Sequence, residues 1–231
     1  MKVYCPYCKK EVEYKIEKRE LKEFRGIEVN TFENVAICNE CNQDLYVNKI
    51  EDENNERIYK KKMEKIIVIG SPGAGKSSFS KKLKNITKLP LYHIDMLYHK
   101  KDGTHITKEE LEEKLKEIFK TDKWIIDGNY QKTLELRINE CDTIFLLDFP
   151  TQVCLEGAKS RIGQKRDDLP WVEEKLDENF KQCIINFTNE KLPQIYKLLD
   201  KYKMNHSIFI FKSRGEADNY IRNMEKKYAN I

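Results

Sequence analysis

The sequence predicts an α/β fold in which five parallel strands form an open sheet covered by helices on both faces, preceded by a small β module. After about residue 65, short apolar runs alternate with segments of helical character, the order typical of such sheets. Before residue 50, charged and apolar residues alternate along two extended stretches, which indicates a hairpin. We therefore expect a module at 1–50, a charged linker or short helix at 51–64, and the α/β domain at 65–231.

The elements of the α/β domain follow from apolar runs and helix-start signals. Five runs are short and almost wholly apolar, as buried parallel strands are. They are 66–69, 91–94, 124–126, 143–147 and 207–211. Thr107 and Glu110 form a capping box, which predicts the start of a helix that ends near residue 119. The other predicted helices are 76–85, 151–162, 171–186, 190–203 and 215–227.

Composition and charge exclude several classes of protein. Charged residues make up 35% of the chain, yet the formal net charge is only +4 and apolar runs recur, so we expect a folded protein. No run approaches the roughly 20 apolar residues of a membrane helix, and the first residues lack the apolar core of a signal peptide. We therefore expect a cytoplasmic protein without a membrane partner. Acidic and basic residues nearly balance in residues 1–64, so the charge does not support a nucleic-acid partner.

The most specific motif follows the first strand of the domain. Residues 70–77 read GSPGAGKS and match the P-loop pattern G-x-x-x-x-G-K-[ST] at every fixed position. Such glycines let backbone N–H groups surround phosphates, and the positive end of the next helix faces the same anion. The alternative is a chance glycine turn. The pattern predicts a P-loop NTPase fold of the nucleoside monophosphate kinase type.

The motif also predicts which residues contact the nucleotide. We expect Lys76 to reach the β- and γ-phosphates of ATP or GTP, and the Ser77 hydroxyl to bind Mg²⁺. The predicted nucleotide contacts are Gly70, Gly73, Ala74, Gly75, Lys76, Ser77 and Ser78.

Three acids follow predicted strands of this domain. Asp95, Asp127 and Asp148 each come directly after an apolar run or at its end. Ligands of open parallel sheets bind beyond the carboxyl ends of the strands, where these acids would lie. Any one of them could instead be a solvated acid without a role. We expect at least one to lie near a bound metal ion.

A basic cluster lies further along the domain. Arg161, Lys165 and Arg166 surround Gly163, and guanidinium groups on a mobile segment can close over a triphosphate and stabilise transition-state charge. The alternative is a solvated basic turn, and Arg137 is a weaker candidate for the same role. The histidines form no ligand pattern, and we assign no role to His93, His99, His105 or His206.

The cysteines of the N-terminal module form two pairs. Four soft thiolates arranged as two Cys-x-x-Cys pairs suit tetrahedral Zn²⁺, and a set without an open position is typical of a structural site. The predicted zinc ligands are Cys5, Cys8, Cys38 and Cys41. The alternative is four unligated cysteines. The other three have no paired spacing and are expected to be buried thiols: Cys141, Cys154 and Cys183.

The two parts resemble two known families. Residues 65–227 resemble the adenylate-kinase-like DNA topology modulation proteins through GSPGAGKS, LYHIDMLY (91–98), WIIDGNYQKTLELR (124–137) and DTIFLLDFP (142–150). The segment WIIDGNYQKT also resembles the strand-Asp-Gly turn of adenylate kinases, and that likeness implies that Asp127 is the carboxylate beside the metal and that Arg161 and Arg166 are lid arginines. Residues 1–60 resemble the N-terminal zinc-binding region of MqsA-type antitoxins.

Two functional hypotheses follow. The first is an ATP-dependent kinase of a nucleotide or small molecule, in which Asp95 orients or deprotonates the acceptor hydroxyl, Asp127 helps to hold Mg²⁺, and Lys76, Arg161 and Arg166 neutralise the γ-phosphoryl group. The second is a regulatory protein that senses a nucleotide and whose zinc module docks a protein or a nucleic acid.

The predicted acceptor site is small. About a dozen residues, from Met96 to Ile106, separate the second strand from the next helix. Nucleoside monophosphate kinases have an inserted region at this position that holds the acceptor nucleotide. We therefore expect AMP to be a poor acceptor.

Overall fold

The strands form one mixed sheet. The structure is a computed structural model that describes residues 2–24, 27–60, 63–203 and 206–228. The strands are β1 (Lys2–Cys5), β2 (Lys10–Phe24), β3 (Ile27–Cys38), β4 (Asp44–Leu45), β5 (Lys65–Gly70), β6 (Leu91–His93), β7 (Trp124–Asp127), β8 (Thr143–Leu147) and β9 (Ser207–Phe211). Their order across the sheet is β1-β2-β3-β9-β8-β5-β7-β6, with β4 paired to β3.

Helices connect the strands of the α/β domain and precede it. They are α1 (Asn48–Lys60), α2 (Lys76–Thr87), α3 (Ile94–Tyr98), α4 (Lys108–Phe119), α5 (Leu134–Glu140), α6 (Thr151–Lys159), α7 (Glu178–Glu190), α8 (Leu192–Tyr202) and α9 (Arg214–Tyr228). The predicted capping box is present, because Thr107 accepts from the Glu110 N–H and Glu110 accepts from the Thr107 N–H. No helix of the described residues is long and apolar enough to span a lipid bilayer.

The five strands from β5 to β9 are parallel, which confirms the predicted P-loop NTPase fold. The first of them, β5, lies in the middle, between β7 and β8. Its side chains alternate between the two faces, so that Ile66 and Val68 join one apolar cluster and Ile67 and Ile69 join the other. Each fully buried aliphatic side chain of this size stabilises the fold by roughly 1.5–3 kcal/mol relative to an exposed one. The two clusters explain why helices cover both faces.

The N-terminal module is continuous with this sheet. Its strands β2 and β3 form the predicted hairpin, and β3 also pairs antiparallel with β9 through Glu28–Ile210, Val29–Phe209 and Asn30–Ile208. Without this pairing β9 would be an edge strand with unpaired backbone groups.

For residues 51–64 the sequence left a charged linker and a short helix as alternatives, and the structure shows a helix as far as Lys60. The domain boundaries themselves stay a prediction.

Besides α6, which ends at Lys159 rather than at residue 162, two elements differ from the sequence-based assignment. The helix predicted at 171–186 begins at Glu178, because the Asp177 side chain caps it by accepting from the Phe180 N–H at 2.8 Å. Residues 160–177, which we call the lid segment, form turns and irregular loop instead. The strand predicted at 91–94 ends at His93, where the short helix α3 begins.

Candidate active site

The phosphate loop lies between β5 and α2, as the motif predicts. Gly73 and Gly75 have φ of 83° and 91°, in the left-handed region that favours glycine. A Cβ atom on Gly73 would lie 2.0 Å from the Cys154 carbonyl oxygen, and one on Gly157 would lie 2.2 Å from the Gly73 carbonyl oxygen. The loop therefore depends on the close approach of α6, and substitution of Gly73 or Gly157 would displace it.

The base of the loop is held by a side chain from another strand end. The Asn129 amide accepts from the Gly70 N–H at 2.9 Å and donates to the Gly70 carbonyl oxygen. A Cβ atom on Gly70 would lie 2.3 Å from the Leu147 carbonyl oxygen, so glycine is needed there for packing against β8. The structure thus places Gly70 beneath the loop, at the end of β5, rather than around the phosphate site.

One cavity brings most of the predicted site residues together. It has a volume of about 920 Å³ and is lined by the phosphate loop, the ends of β6 and β7, and the lid segment. The predicted site residues among its lining are Gly73, Ala74, Gly75, Lys76, Ser77, Ser78, Asp95, Asp127, Arg161 and Arg166. Their roles in binding and catalysis stay predictions.

Lys76 lies at the start of α2, over the loop. Its Nζ donates to the Ser71 carbonyl oxygen at 3.1 Å. Burial lowers the pKa of Lys76, and the nearby carboxylates of Asp127 and Asp95 offset part of this effect. The ammonium group is therefore placed to exchange a neutral carbonyl partner for a phosphate oxygen.

Asp127 lies at the carboxyl end of β7 and is only 4% exposed. Its Oδ2 is 2.8 Å from His93 Nδ1, whereas its buried Oδ1 has no hydrogen-bond partner in the part of the chain that the structure describes. A buried carboxylate oxygen without a partner is costly unless a cation or water satisfies it. This oxygen therefore fits a cation site at the mouth of the phosphate loop.

Two further groups approach that site. His93, Asp127 and Asp168 each offer a ligand atom within 4.8 Å of the others. Burial raises the pKa of Asp168, but hydrogen bonds from Arg166 and Ser77 outweigh burial and lower it to about 2. The prediction that the histidines have no ligand pattern is wrong for His93, because β6 pairs with β7 in a register that places it beside Asp127.

Asp95 occupies the first turn of α3 and lines the cavity. Its side chain is exposed to the cavity, but the surrounding walls displace bulk water and raise its pKa from the usual 3.8, while Lys76 lowers it in part. A carboxylate with a raised pKa is a stronger base.

Asp148, the third strand-end acid, contacts Lys212 Nζ at 2.8 Å and Tyr196 Oη at 2.7 Å. These two contacts hold its side chain in place.

The predicted lid arginines belong to an ion-pair network within the lid segment. Arg161 contacts Glu173 at 2.9 Å, and Arg166 contacts both Glu173 and Asp168. The Gly163 N–H donates to the Glu173 carbonyl oxygen at 2.8 Å and closes the loop on itself. Both arginines line the cavity, so the network orients them toward it.

Arg137 has a positioning role that its sequence context did not show. It is fully buried, and its guanidinium donates to the carbonyl oxygens of Gly128 and Asn129 at 2.7 Å and of Tyr130 at 3.1 Å. Burial lowers its pKa to about 10, which leaves it charged near neutral pH. Arg137 thus fixes the turn after β7 that carries Asn129, and it does not face the phosphates.

The four paired cysteines form a second cluster, outside the cavity. The Sγ atoms of Cys5 and Cys41 are 3.7 Å apart and those of Cys8 and Cys38 are 3.9 Å apart. Tetrahedral Zn²⁺ with Zn–S bonds of about 2.3 Å separates its sulfur ligands by roughly 3.8 Å. The Cys8 N–H donates to Cys5 Sγ at 3.3 Å and the Cys41 N–H to Cys38 Sγ at 3.4 Å.

The electrostatics of this cluster favour thiolate at Cys38, whereas contacts with the other thiols raise the pKa of Cys8 and Cys41. Burial raises the pKa of Cys38, but hydrogen bonds from the N–H groups of Cys41 and Glu40 outweigh burial and lower it to about 7. The donor set therefore fits a soft tetrahedral metal ion.

Among the other cysteines, Cys183 is exposed rather than buried, because α7 turns its neighbours Ile184 and Phe187 toward the core.

Some site residues had a sequence signal and others had none. His93 ends a predicted strand, so the argument that selected Asp127 could also have selected it. Asn129 comes two residues after β7, where no pattern specifies its contact with Gly70. Asp168 lies in a loop without periodicity, and only its contacts with Arg166 and Ser77 reveal it.

Comparisons with known proteins support a kinase-like P-loop fold. No protein-family model matches the chain. Over 88 residues it is 32% identical to the adenylate kinases of Thermotoga petrophila and Thermotoga maritima, a stretch that covers 37% of this chain and 39% of either relative.

Two solved structures show weaker similarity. Shikimate kinase from Acinetobacter baumannii in complex with shikimate is 13% identical, with a TM-score of 0.48 over 74% of this chain and 95% of that chain. Deoxyadenosine kinase from M. mycoides with bound dATP is 14% identical, with a TM-score of 0.41 over 71% of this chain and 97% of that chain. Because both TM-scores lie below 0.5, neither structure supports a conclusion about activity. The adenylate kinase match and the cavity geometry together lead to the proposal below.

Proposed function

We propose that this protein is an ATP-dependent phosphotransferase that acts on a nucleotide or another small molecule. The observation that carries the proposal is the convergence in one cavity of the phosphate loop, the buried Asp127 with its unpartnered Oδ1, and two lid arginines. Phosphoryl transfer needs these parts: a cradle for the phosphates, a metal ion and positive charge around the transferred group. The partial match to adenylate kinases agrees with it.

In this proposal each group has one task. Lys76 and the loop N–H groups bind the β- and γ-phosphates, and Ser77 with Asp127 holds Mg²⁺, which neutralises phosphate charge when bound. Arg161 and Arg166 stabilise charge on the moving phosphoryl group. Asp95 accepts the proton of the acceptor hydroxyl, and its raised pKa suits that task.

The four paired cysteines are proposed to hold one structural Zn²⁺. Their spacing and their N–H···S hydrogen bonds carry this part of the proposal. We also propose two family relationships. Residues 1–60 resemble the zinc-binding region of MqsA-type antitoxins, and residues 65–227 resemble the DNA topology modulation proteins.

Exposed aromatic side chains favour a second candidate function for the module. Tyr7 is 63% exposed and Tyr46 is 73% exposed, and exposed aromatic residues are enriched at protein interfaces. The second candidate is therefore a nucleotide-sensing regulatory protein whose module docks a protein partner. Binding of ATP without any turnover would favour this candidate.

The test of the kinase proposal is transfer of the labelled γ-phosphoryl group of ATP to a panel of small-molecule alcohols. Lys76→Ala should abolish transfer and weaken ATP binding while the far-UV circular dichroism spectrum stays unchanged. Lys84→Ala is the matched control, because Lys84 is exposed on the same helix outside the cavity. Transfer by Lys76→Ala at the wild-type rate would contradict the proposal.

A further inference from the structure

Aromatic side chains form part of the cavity lining. We define the aromatic wall as Tyr98, His99, Tyr130 and Trp171, all of which line the cavity. The ring centroids are 4.6 Å apart for Tyr98 and Tyr130, 4.9 Å for Tyr98 and His99, and 5.1 Å for His99 and Trp171. These distances are those of packed aromatic pairs. The wall is thus a continuous aromatic surface built from three separate segments of the chain.

The aromatic wall adjoins the proposed catalytic base. Tyr98 and His99 follow Asp95 by three and four residues, spacings that place side chains on the same side of a helical turn. The His99 N–H also donates to the Asp95 carbonyl oxygen at 2.9 Å. A ring held against the wall would therefore place an attached hydroxyl near the Asp95 carboxylate.

The charge around the aromatic wall disfavours an anionic acceptor. Among the described residues that line the cavity, each lysine and arginine already contacts an acid or a backbone carbonyl. They are Lys76, Lys81, Lys82, Arg161, Arg166 and Arg214. In the proposed function, Lys76 and the two lid arginines serve the triphosphate. A second phosphate would instead meet the carboxylates of Asp95, Asp127 and Asp168, and like charges at short range repel.

The aromatic wall also offers polar groups at its centre. Burial, followed by a hydrogen bond with Tyr98, raises the pKa of Tyr130 to about 12, so the Tyr130 phenol is neutral near pH 7. Neutral phenols can donate to and accept from the edge of a heterocyclic base. Stacking faces combined with such groups are what a nucleobase requires.

We propose, resting on the kinase function above, that the phosphoryl acceptor is a nucleoside whose base stacks on the aromatic wall. The P–O bond between the γ-phosphorus and the β–γ bridging oxygen breaks, and a new P–O bond forms to the nucleoside hydroxyl oxygen. The hydroxyl proton goes to Asp95, and the products are ADP and a nucleoside monophosphate. The cavity volume of about 920 Å³ leaves room for this second ligand beside the triphosphate.

The experiment is calorimetric titration of the full chain, loaded with Mg²⁺ and a non-hydrolysable ATP analogue, with the common ribo- and deoxyribonucleosides. AMP and glycerol are titrated in parallel. At least one nucleoside should bind, and more tightly than AMP. Trp171→Leu should weaken its binding roughly 5- to 100-fold, the range expected for loss of one base–aromatic stack, without changing affinity for the ATP analogue. Trp171→Phe should restore most of the affinity.

Tyr46→Leu is the control, since Tyr46 is exposed on the N-terminal module and should leave nucleoside binding unchanged. No nucleoside binding, tighter binding of AMP, or equal nucleoside affinity in Trp171→Leu would overturn the inference. Transfer from ATP to some other acceptor would then leave the kinase proposal standing. Conversely, nucleoside binding that depends on Trp171, without transfer to any acceptor, would support the inference about binding and refute the kinase function.

Discussion

The N-terminal module and the P-loop region differ in what stabilises them. Among the described residues, the buried cluster of the module consists of only six side chains, two of which are Cys5 and Cys38. The P-loop region instead has two large apolar clusters, one on each face of its sheet. So small a core cannot offset the conformational entropy of a 60-residue segment without a ligand or a neighbour. In the proposed arrangement the module therefore depends on a bound metal ion and on its pairing with β9, whereas the P-loop region depends on its own core.

The comparison also shows where each region carries its unsatisfied polar groups. In the P-loop region the buried Asp127 Oδ1 has no hydrogen-bond partner among the described residues, so the stable core supports a costly group at the candidate active site. In the module the sulfur atoms themselves accept backbone N–H groups, which prepares the thiols for a metal ion. On the zinc proposal, the P-loop region is stable before it binds a ligand, and the module becomes stable by binding a metal ion.

The largest expected effect is loss of the metal ion from the module. Purified protein should contain about one zinc per chain, and the double variant Cys5→Ser, Cys38→Ser should contain none. Structural zinc contributes on the order of 10 kcal/mol to the folding of small modules, so amide exchange should accelerate throughout β1–β3. ATP binding should persist, since the P-loop region has its own core.

The control for this prediction is Cys183→Ser, because Cys183 is exposed and lies far along the chain on α7. Its metal content should match that of the wild type. Zinc retained in the double variant would contradict the assignment of the four cysteines as ligands. Loss of ATP binding on chelation would show that the P-loop region also depends on the metal ion.

The next largest effect is on catalysis, through Asp95. Asp95→Asn should lower kcat by about 100-fold or more, as loss of a general base does, while ATP affinity and zinc content stay near wild type. In the wild type, kcat should fall as the pH falls through the Asp95 pKa, which lies above 3.8 because the cavity walls exclude water. Rate–pH profiles and ATP titrations test this. Equal losses of ATP affinity and rate would show that Asp95 is instead a group beside the metal ion.

A smaller effect is expected at Arg137, which tests the rigidity of the P-loop region. Arg137→Met removes the charged donor to the carbonyl oxygens of Gly128 and Asn129 and one of the donors to that of Tyr130, so it should reduce the free energy of unfolding by about 3 kcal/mol. Urea unfolding measures this, with Arg222→Met on the outer face of α9 as the control. An unchanged unfolding midpoint in Arg137→Met would show that the turn after β7 does not need its buried cation.

The smallest effect on nucleotide binding is expected from removal of the module. Residues 65–231 alone should fold and bind ATP within a few-fold of the full chain, because the phosphate loop, Asp127 and both lid arginines lie there. The truncated protein should associate more readily, since β9 loses its partner β3 and becomes an exposed edge. ATP titration and light scattering test both points. An insoluble fragment, or one that does not bind ATP, would show that the two regions form one folding unit.

The sequence determined the local features of both regions. The phosphate loop and the five parallel strands could be predicted because their signals are a glycine spacing and short apolar runs, which depend on neighbouring residues only. The thiol cluster was predictable for a similar reason, since two Cys-x-x-Cys pairs already favour one metal ion. The capping box at Thr107 and Glu110 is another local signal that the structure bears out.

Only the tertiary structure decided which distant residues meet. The contact between His93 and Asp127 depends on which strands are neighbours. The approach of Asp168 to these two residues depends on the path of a loop without periodicity. Trp171 contacts His99 although the two residues are 72 positions apart in the chain. The pairing of β3 with β9 likewise joins the two regions in a way that no local pattern specifies. Such contacts are fixed by the packing of the whole sheet and its helices. The periodicity of side chains shows which face of a helix or strand is buried, but it does not show which other element packs against that face.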